Sequence, residues 1–155
     1  MCVFATLICF KRSLNLNMNK KTLCRIALLC GVVLAVATVG WAKNYHMSAT
    51  KIVPGAAAEV NVEKEKNGNV HVEVNVKHLA KPGLLTPPAN SYVVWFQQQG
   101  SPAQNQGELK IGNDLTGGLK STTSLNNFNV FVTGETDAQA KTPSDQLVLQ
   151  ATVQQ

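Results

Sequence analysis

After residue 42 the chain lacks cysteine and lacks any excess of charge. All four cysteines precede that point, as do five of the fourteen lysines and arginines. Nine basic residues then balance nine acids, although the whole chain has a net charge of +5. The later part can therefore form no disulfide and offers no thiolate as a nucleophile or metal ligand. Because it is neutral and has no basic patch, it is also a poor match for nucleic acid.

The sequence also lacks the short motifs of common active sites. It contains no Gly-x-Ser-x-Gly elbow for a serine nucleophile and no glycine-rich phosphate loop. Its three imidazoles, His46, His71 and His78, show no spacing diagnostic of a zinc site. We therefore expect no catalytic residue, no cofactor and no bound metal, and a protein that is not an enzyme. The alternative is a small envelope hydrolase or metal-binding protein, with His71 facing Glu63 on a solvent-exposed strand face.

The one long hydrophobic run is the uncharged segment 26–42. It directly follows two lysines and Arg25, and it ends in Gly-Trp-Ala. A positive flank, an apolar stretch and a small-x-small end predict a signal peptide that is cleaved between Ala42 and Lys43. An uncleaved anchor is the alternative, because a helix of that length reaches about 25 Å, the short end of what crosses a bilayer core of about 30 Å.

Both interpretations place the body of the protein outside the cytoplasm, because the positive flank stays on the inner side of the membrane. Residues 1–42 are thus predicted to be a leader, and Met18, just before Asn-Lys-Lys, is predicted to be the true start. We expect the body to be periplasmic or secreted. If the leader stays uncleaved, the protein is anchored to the inner membrane with its N-terminus inside, and it contacts the membrane only through that N-terminal helix.

Residues 43–155 have the size of a single domain, and short apolar segments separated by turn residues predict an all-β fold. We expect an immunoglobulin-like antiparallel β-sandwich preceded by an N-terminal signal or membrane helix, with a closed barrel as the alternative. Residues 44–48 are expected to form a loose lead-in. The predicted strands are 49–53 at a sheet edge, 59–63, 70–76, 91–98, 107–111, 119–123, 128–133 and 146–153.

The second and third predicted strands alternate apolar and polar side chains on either side of an Asn-Gly pair. A two-residue Asn-Gly loop would put the apolar sets of the two strands on opposite faces. A three-residue loop that ends at a left-handed Gly68 instead sets Val62 opposite Val72 and Val60 opposite Val74. Since only the second register buries one face consistently, it is the predicted one.

The stretch 91–98, Ser-Tyr-Val-Val-Trp-Phe-Gln-Gln, is apolar on both faces of a strand and predicts the centre of the fold. Trp95 is expected to lie between the sheets. Its expected neighbours belong to the other strongly apolar strand: Phe128, Val130 or Phe131.

About half of the body resembles the C-terminal, extracytoplasmic domain of the anti-sigma-K factor family. The resemblance lies in residues 92–95, 107–109, 117–118, 128–135, 142–143 and 147–149, together with Asp114. It implies the β-sandwich fold and a position outside the cytoplasm. The family's zinc pattern of the sigma-binding domain is missing before the apolar segment, and Thr-Asp-Ala at 136–138 replaces a Gly-Gly-Ser turn. Sigma binding is therefore not implied.

One amide-rich segment, 97–106, is the candidate binding loop, because amides can pair with sugar hydroxyls or with a partner's backbone. Its candidate residues are Gln97, Gln98, Gln99, Gln104, Asn105 and Gln106. We expect a non-enzymatic extracytoplasmic binding or structural module of the bacterial envelope, with an unknown protein or glycan as partner. The other alternative is a sensor or accessory subunit that docks on a membrane protein.

Overall fold

The structure is a computed structural model that describes residues 42–155, and these belong to one compact unit. The predicted signal peptide, its membrane helix and the proposed start at Met18 lie outside the described residues, as does all of the leader but Ala42. Within 42–155, no helix has the length and apolar character needed to cross a membrane. The strands are β1 (Lys43–Ala49), β2 (Ala57–Lys64), β3 (Val70–Lys77), β4 (Ser91–Gln97), β5 (Gln104–Leu109), β6 (Gly117–Thr123), β7 (Phe128–Glu135) and β8 (Leu147–Val153).

All eight strands form one antiparallel sheet in the order β5-β4-β7-β8-β1-β2-β3-β6. Strand β1 joins the two halves of this sheet, because its first part pairs with β2 and its last two residues pair with β8. The edge strands β5 and β6 approach each other, and Ser121 Oγ donates a hydrogen bond to Gln106 Oε1 at 2.7 Å. The sheet therefore curls nearly into a closed cylinder, and the predicted all-β, antiparallel architecture is confirmed.

The β2–β3 hairpin has the predicted register. Val62 lies opposite Val72 and Val60 opposite Val74, and all four side chains are buried. The turn closes with a bond from the Gly68 amide to the Glu65 carbonyl at 3.1 Å, and Gly68 has a φ of +88°. A left-handed glycine at this position is what lets a three-residue loop keep the apolar sets on one face.

The prediction for the start of the body was wrong. The expected lead-in 44–48 lies within strand β1, and the expected edge strand 49–53 is mostly turn. Moreover, β1 is not at an edge but lies between β8 and β2. Only Tyr45 and Met47 give this strand an inward side, so its own pattern is weak, and backbone pairing with two neighbours decides its conformation.

Strand β4 occupies an inner position of the sheet and is buried on both faces, as predicted. Tyr92, Val94 and Phe96 face the main core. Trp95 points the other way, so its expected place between the sheets was wrong, although it does stack on Phe131. An apolar run shows that both faces are covered, but it does not show which face meets the main core.

The remaining strands were predicted with shifted ends. The amide-rich segment 97–106 is not one loop, because β4 extends to Gln97 and β5 already begins at Gln104. The turn between them spans only 98–103. Strand β7 runs two residues beyond the predicted end, to Glu135, where it is still buried. The crossover between β3 and β4 contains the short 3-10 turn Pro82–Leu84.

Candidate binding surface

The outer face of the sheet half β5-β4-β7-β8-β1 carries a row of side chains that crosses all five strands. Backbone pairing sets Ser48 beside Gln150, Gln150 beside Phe131, Phe131 beside Trp95, and Trp95 beside Asn105. Neighbours in such a row point to the same face of the sheet. The row therefore places a polar end, an aromatic centre and an amide end on one surface.

The loop 136–146 covers the Trp95 end of this row. Asn105 Nδ2 donates to the carbonyls of Ala138 at 3.0 Å and Ala140 at 2.8 Å, so the side chain of an edge strand holds the loop against the sheet. Asn105 Oδ1 also accepts a bond from the Gly107 amide at 2.8 Å. Beneath the loop, Trp95 is completely buried even though it lies outside the main core.

A buried carboxylate fixes the other end of the loop. The Ser144 amide donates to Glu135 Oε1 at 2.7 Å, and the Thr133 hydroxyl donates to the same oxygen. Trp95 Nε1 in turn donates to Thr133 Oγ1 at 2.8 Å. Each of these polar groups has a partner, as buried polar groups require. The chain of bonds locks the indole and ties the loop to strand β7.

The other end of the row stays open and forms the floor of a depression of about 700 Å³. Ser48, Gln150 and Phe131 line this floor, and the loop residues 143–145 form one rim. Phe131 is half-buried, whereas Gln150 and Ser48 are exposed. The volume lies within the range of about 300 to 1,000 Å³ that is typical of small-molecule sites.

The depression is polar but carries little charge. Among the described residues that line it, the ionisable ones are His46 and Asp145. His46 Nδ1 lies 3.6 Å from a Glu59 carboxylate oxygen, and both side chains are largely exposed. Thr152 Oγ1 donates a hydrogen bond to Asn129 Oδ1 at 2.9 Å, and the Asn129 NH₂ group takes no part in that bond.

The six predicted amide residues are not brought together as one site. Gln97 lines the open depression, and its Nε2 donates to the Ser101 carbonyl at 3.1 Å. Asn105 and Gln106 serve the fold, the first by holding the covering loop and the second by accepting the bond from Ser121. The other three, Gln98, Gln99 and Gln104, are exposed at the β4–β5 turn and the start of β5.

Ala42 and Lys43, the predicted cleavage site, are exposed at the start of β1. The histidines do not converge either. His71 lies opposite Glu63, as the register predicted, whereas His46 lies beside Glu59, four residues earlier on β2. His78 is outside the strands, with a φ of +57°. No group of three potential metal ligands forms within residues 42–155.

A second depression, of about 740 Å³, lies at the start of β4, where the crossover from β3 enters. Tyr92 borders it, and its hydroxyl donates to the Ala80 carbonyl at 2.8 Å. Burial raises the pKa of Tyr92 to about 12, because the anionic form would lose its hydration. On the adjacent loop, the Thr116 hydroxyl and amide both donate to Asp114 and lower the pKa of this carboxyl.

Sequence reasoning missed the open depression and the Glu135 anchor. The depression is lined by four strands and the covering loop, so its composition becomes visible only once the strand order β4-β7-β8-β1 is known. One weak signal exists within β8, where the exposed Gln150 and Thr152 alternate with less exposed apolar residues and mark a polar outer face. Comparisons of the chain with protein-family models, curated proteins and solved structures find no match in any of the three.

Proposed function

We propose that this protein is a non-enzymatic binding module of the bacterial envelope that works outside the cytoplasm and binds its partner in the open depression beside Phe131. The sequence of the leader supports the location, through its basic flank, apolar run and small-x-small end. The immunoglobulin-like class of the fold and the kinship with the outer domain of anti-sigma-K factors belong to the same proposal.

The observation that carries the proposal is that the depression has a polar, solvent-exposed lining on backbone elements that are held in place. Its floor lies on three paired strands, and its rim lies on a loop that Asn105 and Glu135 hold at both ends. Sites built on such fixed elements lose little conformational freedom on binding. Side chains that face solvent there, such as Gln150 and Asn129, have no role in the core.

The polar lining also indicates what the depression does. Amides and hydroxyls recognise a partner through hydrogen bonds, whereas a general acid or base needs an ionisable group in contact with its substrate. In the described part of the lining, the ionisable residues are His46 on β1 and Asp145 on the covering loop, and the other polar groups are amides and hydroxyls. Binding without chemistry is the function that this set of side chains supports best.

Location and binding can be tested together in cells that produce the full-length chain. A photoreactive phenylalanine analogue at position 150 reports contacts in the depression. The same analogue at Thr122, an exposed residue on β6, is the control. We expect the body in the envelope or secreted fraction, with irradiation giving adducts from position 150 and not from position 122.

Two results would contradict the proposal. One is a soluble cytosolic protein that retains its leader, and the other is equal adduct formation from both positions. Adducts with a membrane protein from position 122 alone would favour the alternative of a docking sensor subunit.

A further inference from the structure

Phe131 is held as a rigid aromatic platform at the border between the covered and the open ends of the row. Its ring centroid lies 6.4 Å from that of Trp95, and the two rings are nearly parallel, with an interplanar angle of 14°. The bond from Trp95 Nε1 to Thr133 fixes the indole behind it. The half-buried Phe131 ring therefore presents apolar surface to the depression in one defined orientation.

Neutral hydrogen-bonding groups surround this platform. Asn129 and Gln150 lie next to Phe131, one on the same strand and the other across the β7–β8 ladder. Each amide offers both donors and an acceptor, and Ser48 adds a hydroxyl beside Gln150. Since the Asn129 oxygen already accepts the bond from Thr152, its NH₂ group is the part that can donate to a ligand.

The charges around the depression disfavour an anionic ligand. Among residues 42–155 its lining contains no lysine or arginine, and Asp145 on the rim would repel a phosphate or carboxylate. A ligand that matches the site is uncharged, presents hydroxyl groups that both donate and accept, and has an apolar face for the aromatic ring. A pyranose sugar combines these properties, because its axial C–H groups form an apolar face and its hydroxyls lie around the edge.

We propose that the open depression binds a neutral saccharide, with one sugar ring over Phe131 and its hydroxyls hydrogen-bonded to Gln150 and Asn129. This inference rests on the proposed function, since it names the ligand class of the same depression. The other lining side chains, Ser48 and Gln97 among them, lie where the next sugar units of a chain would extend. The recognised partner is then a glycan of the envelope.

The test uses the protein purified from the envelope and three neutral probes, namely chitohexaose, cellohexaose and maltohexaose, followed by isothermal titration calorimetry. We expect at least one probe to bind. Gln150→Ala, at an exposed site, should weaken that binding by about fivefold to tenfold, as for the loss of one or two neutral hydrogen bonds. Phe131→Ala should abolish detectable binding, and Phe131→Tyr should retain it.

The matched control is Gln99→Ala, which removes an exposed amide in the β4–β5 turn, outside the depression. It should leave the affinity unchanged. The inference is overturned if none of the three probes binds to the folded protein, or if Gln150→Ala binds as tightly as the wild type.

Failure of this inference and failure of the proposed function give different results. Cross-links from position 150 to an envelope protein, together with no heat from any sugar, would remove the saccharide and leave the binding module. Sugar binding by a protein that is found in the cytosol would remove the envelope location and leave the saccharide site.

Discussion

The two halves of the sheet are buried in different ways: the hairpin half contains β2, β3 and β6, and the covered half contains β5, β4, β7 and β8. In the hairpin half, β2 and β3 alternate, so one face packs on the core and the other meets solvent. In the other half, β4 is buried on both faces, and its outward residues Val93 and Trp95 have no exposed surface. Within residues 42–155, the loop 136–146 lies on the side of this second face, where Asn105 holds two of its carbonyls.

This difference shows how an irregular segment can act as a second layer. A loop can cover apolar side chains only if its own backbone groups find partners. Here Asn105 donates hydrogen bonds to two loop carbonyls, and Glu135 accepts a hydrogen bond from the Ser144 amide. The cover ends before Phe131 and Gln150, and the open depression begins there. The proposed binding surface is thus the part of the outer face that the loop leaves bare.

The largest expected effect on stability comes from replacing the buried indole on the outer face of β4. Trp95→Ala removes a fully buried indole and its bond to Thr133, and should lower the free energy of unfolding by about 3 to 5 kcal/mol. Urea melts measure this change. Leu84→Ala is the control, because Leu84 is 75% exposed, and it should change stability by no more than about 0.5 kcal/mol. Equal melts for Trp95→Ala and wild type would show that the loop does not create a second core.

The next effect concerns the inward face of the same strand and depends on pH. The pKa of Tyr92 is raised to about 12 in the folded state and is about 10 in the unfolded chain. Its stabilising contribution is therefore complete below pH 10 and is lost as the pH rises from about 10 to about 12. The loss reaches about 1.4 kcal/mol for each pH unit.

Urea melts between about pH 9 and about pH 11.5 measure this slope. Tyr92→Phe should be less stable at neutral pH, because the Ala80 carbonyl loses its donor, but its stability should fall less steeply with alkali. Tyr45→Phe, on the part of β1 that pairs with β2, controls for the removal of a tyrosine hydroxyl. A slope in Tyr92→Phe as steep as in wild type would assign the alkaline loss to other groups.

The third effect tests what holds the covering loop. Asn105→Ala removes both bonds to the loop carbonyls, and should cost about 1 to 3 kcal/mol. Amide hydrogen exchange should speed up in 136–146 and not in β2 or β3. Asn129→Ala, an exposed amide on the open end, is the matched control and should stay within about 0.5 kcal/mol of wild type. Unchanged exchange in the loop would contradict the holding role of Asn105 and assign that role to the bonds made by Glu135, Asn90 and Gln146.

The two halves also differ in how much of them could be predicted from the sequence. In the hairpin half, strict alternation and a left-handed Gly68 leave one register that buries one face, so Val62 was placed opposite Val72 correctly. Strand β1 was missed because its apolar residues are few, and its conformation depends on partners that lie far along the chain.

In the covered half, the strands were predicted but their faces were not. Tyr92 and Trp95 are equally apolar in pattern, and the sequence does not show that Tyr92 joins the main core whereas Trp95 lies outside it. The candidate surface was missed for a related reason. Ser48, Phe131 and Gln150 become neighbours through strand order, which composition and spacing do not contain. The amides of 97–106 were chosen for their density instead, and the fold uses Asn105 and Gln106 internally.

The smallest expected effect on stability concerns the β2–β3 hairpin. There stability depends on the local turn and not on a covering loop. Gly68→Ala meets open space but forces a side chain into a φ of +88°, which should cost about 1 kcal/mol and loosen the turn. Gly55→Ala, which also meets open space and has no positive φ, should be neutral or slightly stabilising. Both sites meet open space and only Gly68 has a positive φ, so urea melts that gave the two variants equal stability would remove the left-handed bulge as the reason for the observed register.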